Sequence, residues 1–204
     1  MSEMSSRFRG FLPVVIDLET GGFDKDIHAV LQIAAVSLDW CDERLAIDRV
    51  RSWNVIPHPG TMVEEASLRI TGIDLSDPER DALDEEESVR ELFRFVRREV
   101  RRNGCERAVL TAHNAHFDHG FVTAAAERNG VKRNPFHPFT VIDTASLAAV
   151  AYGHTVLSEA CARAGIKFEG GRAHAARYDA EATAKLFCLI VNDWERGRHT
   201  RTNG

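Results

Sequence analysis

Two acids, Asp17 and Glu19, stand at the end of the apolar run Leu12-Pro13-Val14-Val15-Ile16-Asp17-Leu18, and any fold this chain adopts must find a place for them. The run is short, bounded by Pro13 near its start and by Gly21-Gly22 after it, and it reads as a buried strand. A strand covered on both faces is apolar throughout, so charges inside one need a reason. Strand side chains alternate. Asp17 and Glu19 therefore share a face, with their carboxylates close together. Two readings fit that pair: an edge strand with one face in water, or a cation between the carboxylates that removes their repulsion.

The rest of the chain decides the fold class. Residues 29–38 and 49–56 read as two more strands, and from Ser88 to Arg102 the period changes: Val89, Leu92, Phe93, Val96 and Val100 mark one face of an amphipathic helix. A strand over 107–112, a helix over 117–128, a strand over 139–143, helices across most of 144–164 and a last helix from about Tyr178 to Trp194 follow. Three strands and then alternating helices and strands predict an α/β fold, a mixed sheet with helices on its faces. The 204 residues are 44% hydrophobic and 28% charged, with no repeat or linker, which predicts one domain over 1–204. Residues 1–10 form an N-terminal arm, and 195–204 a basic tail that is a candidate for disorder. No run reaches the ~18 apolar residues of a membrane span, and Met1 to Gly10 has no apolar leader, so a cytoplasmic protein without a membrane partner is expected. Cys41, Cys105, Cys161 and Cys188 stand far apart with no Cys-x-x-Cys pair, as expected of reduced thiols.

More acids mark the starts of later helices. Asp118, in His113-Asn114-Ala115-His116-Phe117-Asp118, falls in the first turn of the helix after strand 107–112, and Asp179 opens the last helix five residues after His174. An acid in a first turn suits the helix dipole, so each alone says little. Four acids at strand and helix ends beside a histidine say more. His113, His116 and His119 recur every third residue, but His113 precedes the helix, and supporting roles for the three fit better than zinc.

The net charge is -5, yet from Arg90 to Arg107 seven arginines face three glutamates. Arg94, Arg97, Arg98, Arg101 and Arg102 fall on one stripe of the amphipathic helix, away from its apolar face. Five like charges on a stripe repel each other, and a phosphate track explains them better than a solvated face.

Taken together, Val14-Val15-Ile16-Asp17-Leu18-Glu19-Thr20-Gly21-Gly22, His113-Asn114-x-x-Phe117-Asp118 and His174-x-x-x-x-Asp179 resemble the DEDD exonuclease superfamily, in its histidine branch. Within it, Arg7-Phe8-Arg9-Gly10, the segment Lys132 to Phe139 and Thr155-Val156-Leu157-Ser158 resemble the ribonuclease T family. The resemblance covers Arg7 to about Trp194. It implies a ribonuclease-H-like fold and a homodimer that trims 3′ ends of transfer RNA and other stable RNAs, with single-stranded DNA also accepted.

The same resemblance implies the chemistry. Asp17, Glu19, Asp118 and Asp179 would hold two divalent ions, expected ~3.5 to 4 Å apart. Oxygen-only ligands favour Mg2+, with Mn2+ as a substitute. His174 would be the general base, since a histidine of unperturbed pKa about 6.5 can take a proton from water near neutral pH. Phe23, Phe117 and Phe139 match aromatics that stack on terminal bases, with core packing a rival reading for the last two. Arg7, Arg9, Arg101 and Lys132 match a nucleic-acid-binding segment that serves the partner subunit's site. The chain departs from the family at Ile70, where an aromatic is usual, and at Ala66, beside Glu65, where a glutamate is expected.

Overall fold

The run that carries the two acids forms β1 (Phe11–Thr20), and it lies inside the sheet, between two other strands. The edge-strand reading of Asp17 and Glu19 therefore falls. In the computed structural model, which describes residues 3–202, six strands lie in the order β4-β3-β2-β1-β5-β6. The others are β2 (Val30–Cys41), β3 (Arg44–Ile56), β4 (Ala82–Asp84), β5 (Arg107–Ala112) and β6 (Phe136–Asp143). β1 to β3 form an antiparallel meander, and β5 and β6 add parallel to β1. The meander turns at Asp42 and Glu43, both with positive φ (50° and 59°), as the tight turns of right-twisted hairpins require.

Helices flank this sheet: α1 (Glu65–Thr71), α2 (Glu85–Arg102), α3 (Ala115–Arg128), α4 (Thr144–Tyr152), α5 (Leu157–Arg163) and α6 (Ala176–Thr202). The expected order is present, and the differences have local causes. α2 starts three residues before its apolar period, because Glu85, Glu86 and Glu87 suit the dipole of a first turn. The stretch 144–164 is two helices, divided at Gly153, whose φ of 67° ends α4 in a left-handed cap. α1 buries none of its residues and β4 has only three, so neither produces a readable period. The last helix does not stop near Trp194: it runs to Thr202, and Asn203 and Gly204 of the expected tail lie outside the described residues. The arm is docked from Met4 onward, with Met4 fully buried and Arg7 paired with Glu195 and stacked 4.1 Å over Trp40; Met1 and Ser2 lie outside the described residues.

One main core joins β1, β2 and β5 to α2, α3 and α6, with Phe93, Phe121, Phe136 and Phe187 fully enclosed. A smaller cluster holds α4 and α5 against α6 through Ala148, Ala160, Cys161, Ala182 and Leu186. The sheet itself opens the site. Pairing of β1 with β5 ends at Val15↔Thr111, whereas pairing with β2 continues to Thr20↔Val30. The end of β1 thus has a neighbour on one side only, and a crevice forms beyond the carboxyl end of a strand, where open α/β sheets place ligands.

Candidate active site

Asp17 and Glu19 occupy that end of β1, paired with β2 and beyond the last pair with β5. Every β1 residue is buried except Asp17, which is partly open. Asp118 comes in from the first turn of α3, and its Oδ1 accepts a hydrogen bond from the Leu18 amide at 3.1 Å. The bond fixes the third carboxylate to the backbone between the first two. Asp179 lies in the first turn of α6, and its Oδ2 accepts from the His174 amide at 3.0 Å. Ala176, the first α6 residue, reaches Gln32 on β2 at 3.4 Å, and Gln32 pairs directly with Glu19. α6 is thereby registered on the strand beside the acids. Oxygens of Glu19 and Asp179 and a ring nitrogen of His174 all lie within 4.8 Å of one another, the one such metal-sized grouping among the described residues.

The electrostatics are those of uncompensated charge. Burial, then the charges of Asp118, Glu19 and Asp179, hold the Asp17 carboxyl well above the usual carboxylate range. Burial raises Asp118 well above that range too, against opposing hydrogen bonds from the backbone. Glu19 is pushed up to about 7 by burial and by Asp179, and Asp179 is raised by burial despite its bond from His174. Asp179 Oδ1 is buried with no protein partner. A buried, unsatisfied carboxylate oxygen among three other acids fits a divalent cation, whose oxygen ligands these residues supply.

A consequence can be measured without substrate. A carboxyl raised in the folded state keeps its proton there at a pH where the unfolded chain has lost it, so stability falls as pH rises through that window. For Glu19 the window runs from 4.5 to about 7. In chelator above pH 7, Glu19→Gln is expected to melt higher than the parent, and the two should converge toward the acid end of the window. Divalent metal should stabilise the parent alone. Equal melting curves at neutral pH in chelator would contradict this account of the site.

Asp143 had no place among the residues singled out from the sequence. Its carboxylate accepts from the Asn114 and Ala115 amides at 2.8 and 3.3 Å, from the Ala145 and Ser146 amides, and from Ser146 Oγ at 2.5 Å. It caps α4 and holds the turn that launches α3, where Asn114 has a φ of 69°. Burial pushes its carboxyl up, but the bonds from Ser146, Ala115 and Asn114 hold it below the usual value. Asp143-x-x-Ser146 is a readable cap signal for α4 alone. The histidine triplet, by contrast, diverges: His113 faces Thr144 Oγ1 and the Thr155 carbonyl, His119 the His137 carbonyl, and His116 is exposed.

The aromatics and arginines divide. Phe23 and Phe139 are 84% and 78% exposed, which removes core packing as a rival for Phe139. Phe117 is half-buried on the core, 4.8 Å from Phe121, and meets Phe23 edge-on at 6.4 Å. Ile70 is exposed on α1. The α2 stripe splits. Arg97 and Arg101 line an open hollow of about 500 Å³ with Arg90, Gly130, Lys132 and Arg133, while Arg94 pairs with Glu91 one turn away. Arg102 turns aside to buried Glu99 and to Asp48, and Arg98 lies 5.7 Å over Phe95 and bonds Glu99. Arg7 is engaged by Glu195, whereas Arg9 is exposed with a strained φ of 62°.

Known proteins share this chain's sequence pattern and its fold. The RNase_T family model, described as an exonuclease, matches residues 14–187. The protein named ribonuclease T from Hahella chejuensis is 54% identical over 195 residues, 95% of this chain and 89% of its own length. That from Marinobacter nauticus is 53% identical over 192 residues, 94% and 87% of the two. Among solved structures, the nuclease domain of 3′hExo, a DEDDh family member bound to rAMP, is similar at a TM-score of 0.71 and 17% identity, over 89% of this chain and 92% of that one. Exonuclease I of E. coli in complex with a dT13 oligonucleotide is similar at a TM-score of 0.68 and 17% identity, over 88% of this chain and 41% of that one.

Proposed function

Because this chain belongs to the ribonuclease T family of exonucleases, we propose that its carboxylate crevice removes nucleotides from the 3′ ends of transfer RNA and other stable RNAs, and of single-stranded DNA. The observation that carries the reading is the convergence of four acids from β1, α3 and α6, with Asp118 bonded to the backbone between Asp17 and Glu19. The enzyme is a 3′-to-5′ exonuclease dependent on divalent metal. Asp17, Glu19, Asp118 and Asp179 are proposed to hold two Mg2+ ions, replaceable by Mn2+. When bound, the metal supplies positive charge against the phosphodiester and the leaving 3′ oxygen.

The protein's own residues do the rest. His174 sits on the exposed segment before α6, its amide tied to Asp179, so its ring can reach a water beside the carboxylates and take the proton as that water attacks phosphorus. Phe23 and Phe139, as exposed rings, offer stacking faces to unpaired bases. The resemblance also implies slowing at a terminal cytosine, an effect that the departure at Ile70 weakens. The arginine hollow lies beyond the far end of α3. Ten residues of helix, ~15 Å, separate Asp118 from Arg128, too far for that hollow to hold the nucleotide being cut. A homodimer in which one chain's arginines, with Arg9 and Lys132, grip RNA entering the partner's crevice explains both features.

Replacing His174 tests the base. His174→Ala is expected to lower turnover roughly 10²-fold or more while metal-induced stabilisation in melting curves persists. Near-normal turnover would remove His174 from the mechanism.

A further inference from the structure

The segment between β1 and β2 carries Phe23, and a ring on a polar loop contributes to affinity only if it is held in place before the base arrives, since ordering at binding subtracts from the gain. Residues 21–28 are held from two directions. Beneath them lies buried His28, whose Nδ1 is 3.1 Å from the Asp24 amide while its Nε2 faces Glu64 Oε1 at 3.2 Å. The same Nδ1 lies 3.2 Å from the Asp24 carbonyl oxygen, so the imidazole bridges the Asp24 backbone and the Glu64 carboxylate. The Glu64 amide returns a bond to the Gly21 carbonyl at 2.8 Å. The chain crosses the imidazole so closely that a Cβ on Gly22 would lie 2.3 Å from His28 Cδ2, and one on Gly21 would lie 2.7 Å from the Met62 carbonyl oxygen. Close approach explains the glycine pair ahead of Phe23. From the other side Arg128 donates to the Lys25 carbonyl at 3.2 Å, its remaining nitrogens held by buried Glu85 at 2.7 and 2.9 Å.

We infer that His28, through Glu64 and the Asp24 amide, is a positioning residue that fixes Phe23 as a platform for the terminal base, and so sets affinity for the 3′ end and not the rate of hydrolysis. The inference rests on the reading of Phe23 as a stacking ring. His28 contacts Asp24 and Glu64 and acts through the loop.

A mutant cycle on a short single-stranded deoxyoligonucleotide with Mg2+ separates the possibilities. Phe23→Ala is expected to raise KM about 5- to 150-fold, the range of one lost stack. His28→Ala should raise KM by a similar factor with kcat within about twofold, and the double variant should be no worse than Phe23→Ala alone. Multiplying KM effects, or a fall in kcat at unchanged KM, would overturn the inference and leave the platform standing. An unchanged KM for Phe23→Ala would remove the platform reading and this inference with it. Should His28→Ala unfold in a melting assay, Glu64→Ala takes its place in the same cycle, since half of the Glu64 side chain is in solvent.

Discussion

Asp118→Asn is expected to leave a folded protein whose exonuclease rate is below about a thousandth of the parent's, the upper scale for losing one electrostatic group at a reacting centre. The asparagine Oδ1 can still accept from the Leu18 amide, so the bond that registers α3 on β1 survives. Only the charge is lost. Because that carboxylate is buried among Asp17 and Glu19, its removal relieves repulsion, and without metal the variant should melt at or above the parent's temperature. Rate on a 3′-labelled oligonucleotide, melting in chelator and melting with Mn2+ together check this. An active Asp118→Asn enzyme would reject the carboxylate mechanism. An inactive one that melts far lower would make Asp118 a structural residue.

Activity regained by mixing two dead variants is the second large effect expected, and it tests the proposed dimer. One variant is Asp118→Asn. The other has Arg97, Arg101 and Lys132 changed to glutamine, since these line the hollow. Arg98 and Arg102 are spared, because both bond Glu99, and stripping a buried carboxylate of its partners would destabilise α2. Each variant alone should be nearly inactive on RNA. In a mixed dimer the intact acids of the second chain face the intact basic hollow of the first, so one working site forms. At full exchange half of the dimers are mixed and each carries one of two sites, so recovery to roughly a quarter of parent activity is expected, with a salt dependence like the parent's. No recovery, with exchange verified by mass, would place the arginines in the service of their own chain.

How much of this was legible beforehand depends on distance along the chain. Period-2 and period-3.6 patterns are local, so β1, α2 and β5 could be read to within a few residues of their bounds. The motif spacings were local too, and they brought Asp17, Glu19, Asp118, His174 and Asp179 to notice before any contact between them was known. Apolar periodicity marks the covered side of an element without saying what covers it. That is why Asp17 and Glu19 could equally have sat on an edge strand, until β5 closed beside β1 and left its last residues with a neighbour only in β2. It is also why the arginines form one stripe in the sequence: Glu99 and Asp48 turn Arg102 to one side, while Arg97 donates to the Arg133 carbonyl and lines the hollow with Arg101.

Read alone, the chain shows the order of its longer elements, the chemical types in the site and the family to which they belong, because each is carried by residues a few positions apart. Tertiary structure alone decided which groups meet. The Leu18 amide and the Asp118 carboxylate are 100 residues apart, Asp143 holds the turn before α3 from 29 residues away, and Arg128 supports the Phe23 loop across 103. Such bonds are specified by how the sheet closes and not by any local pattern, since a buried polar group takes whichever partner the packed chain brings within reach.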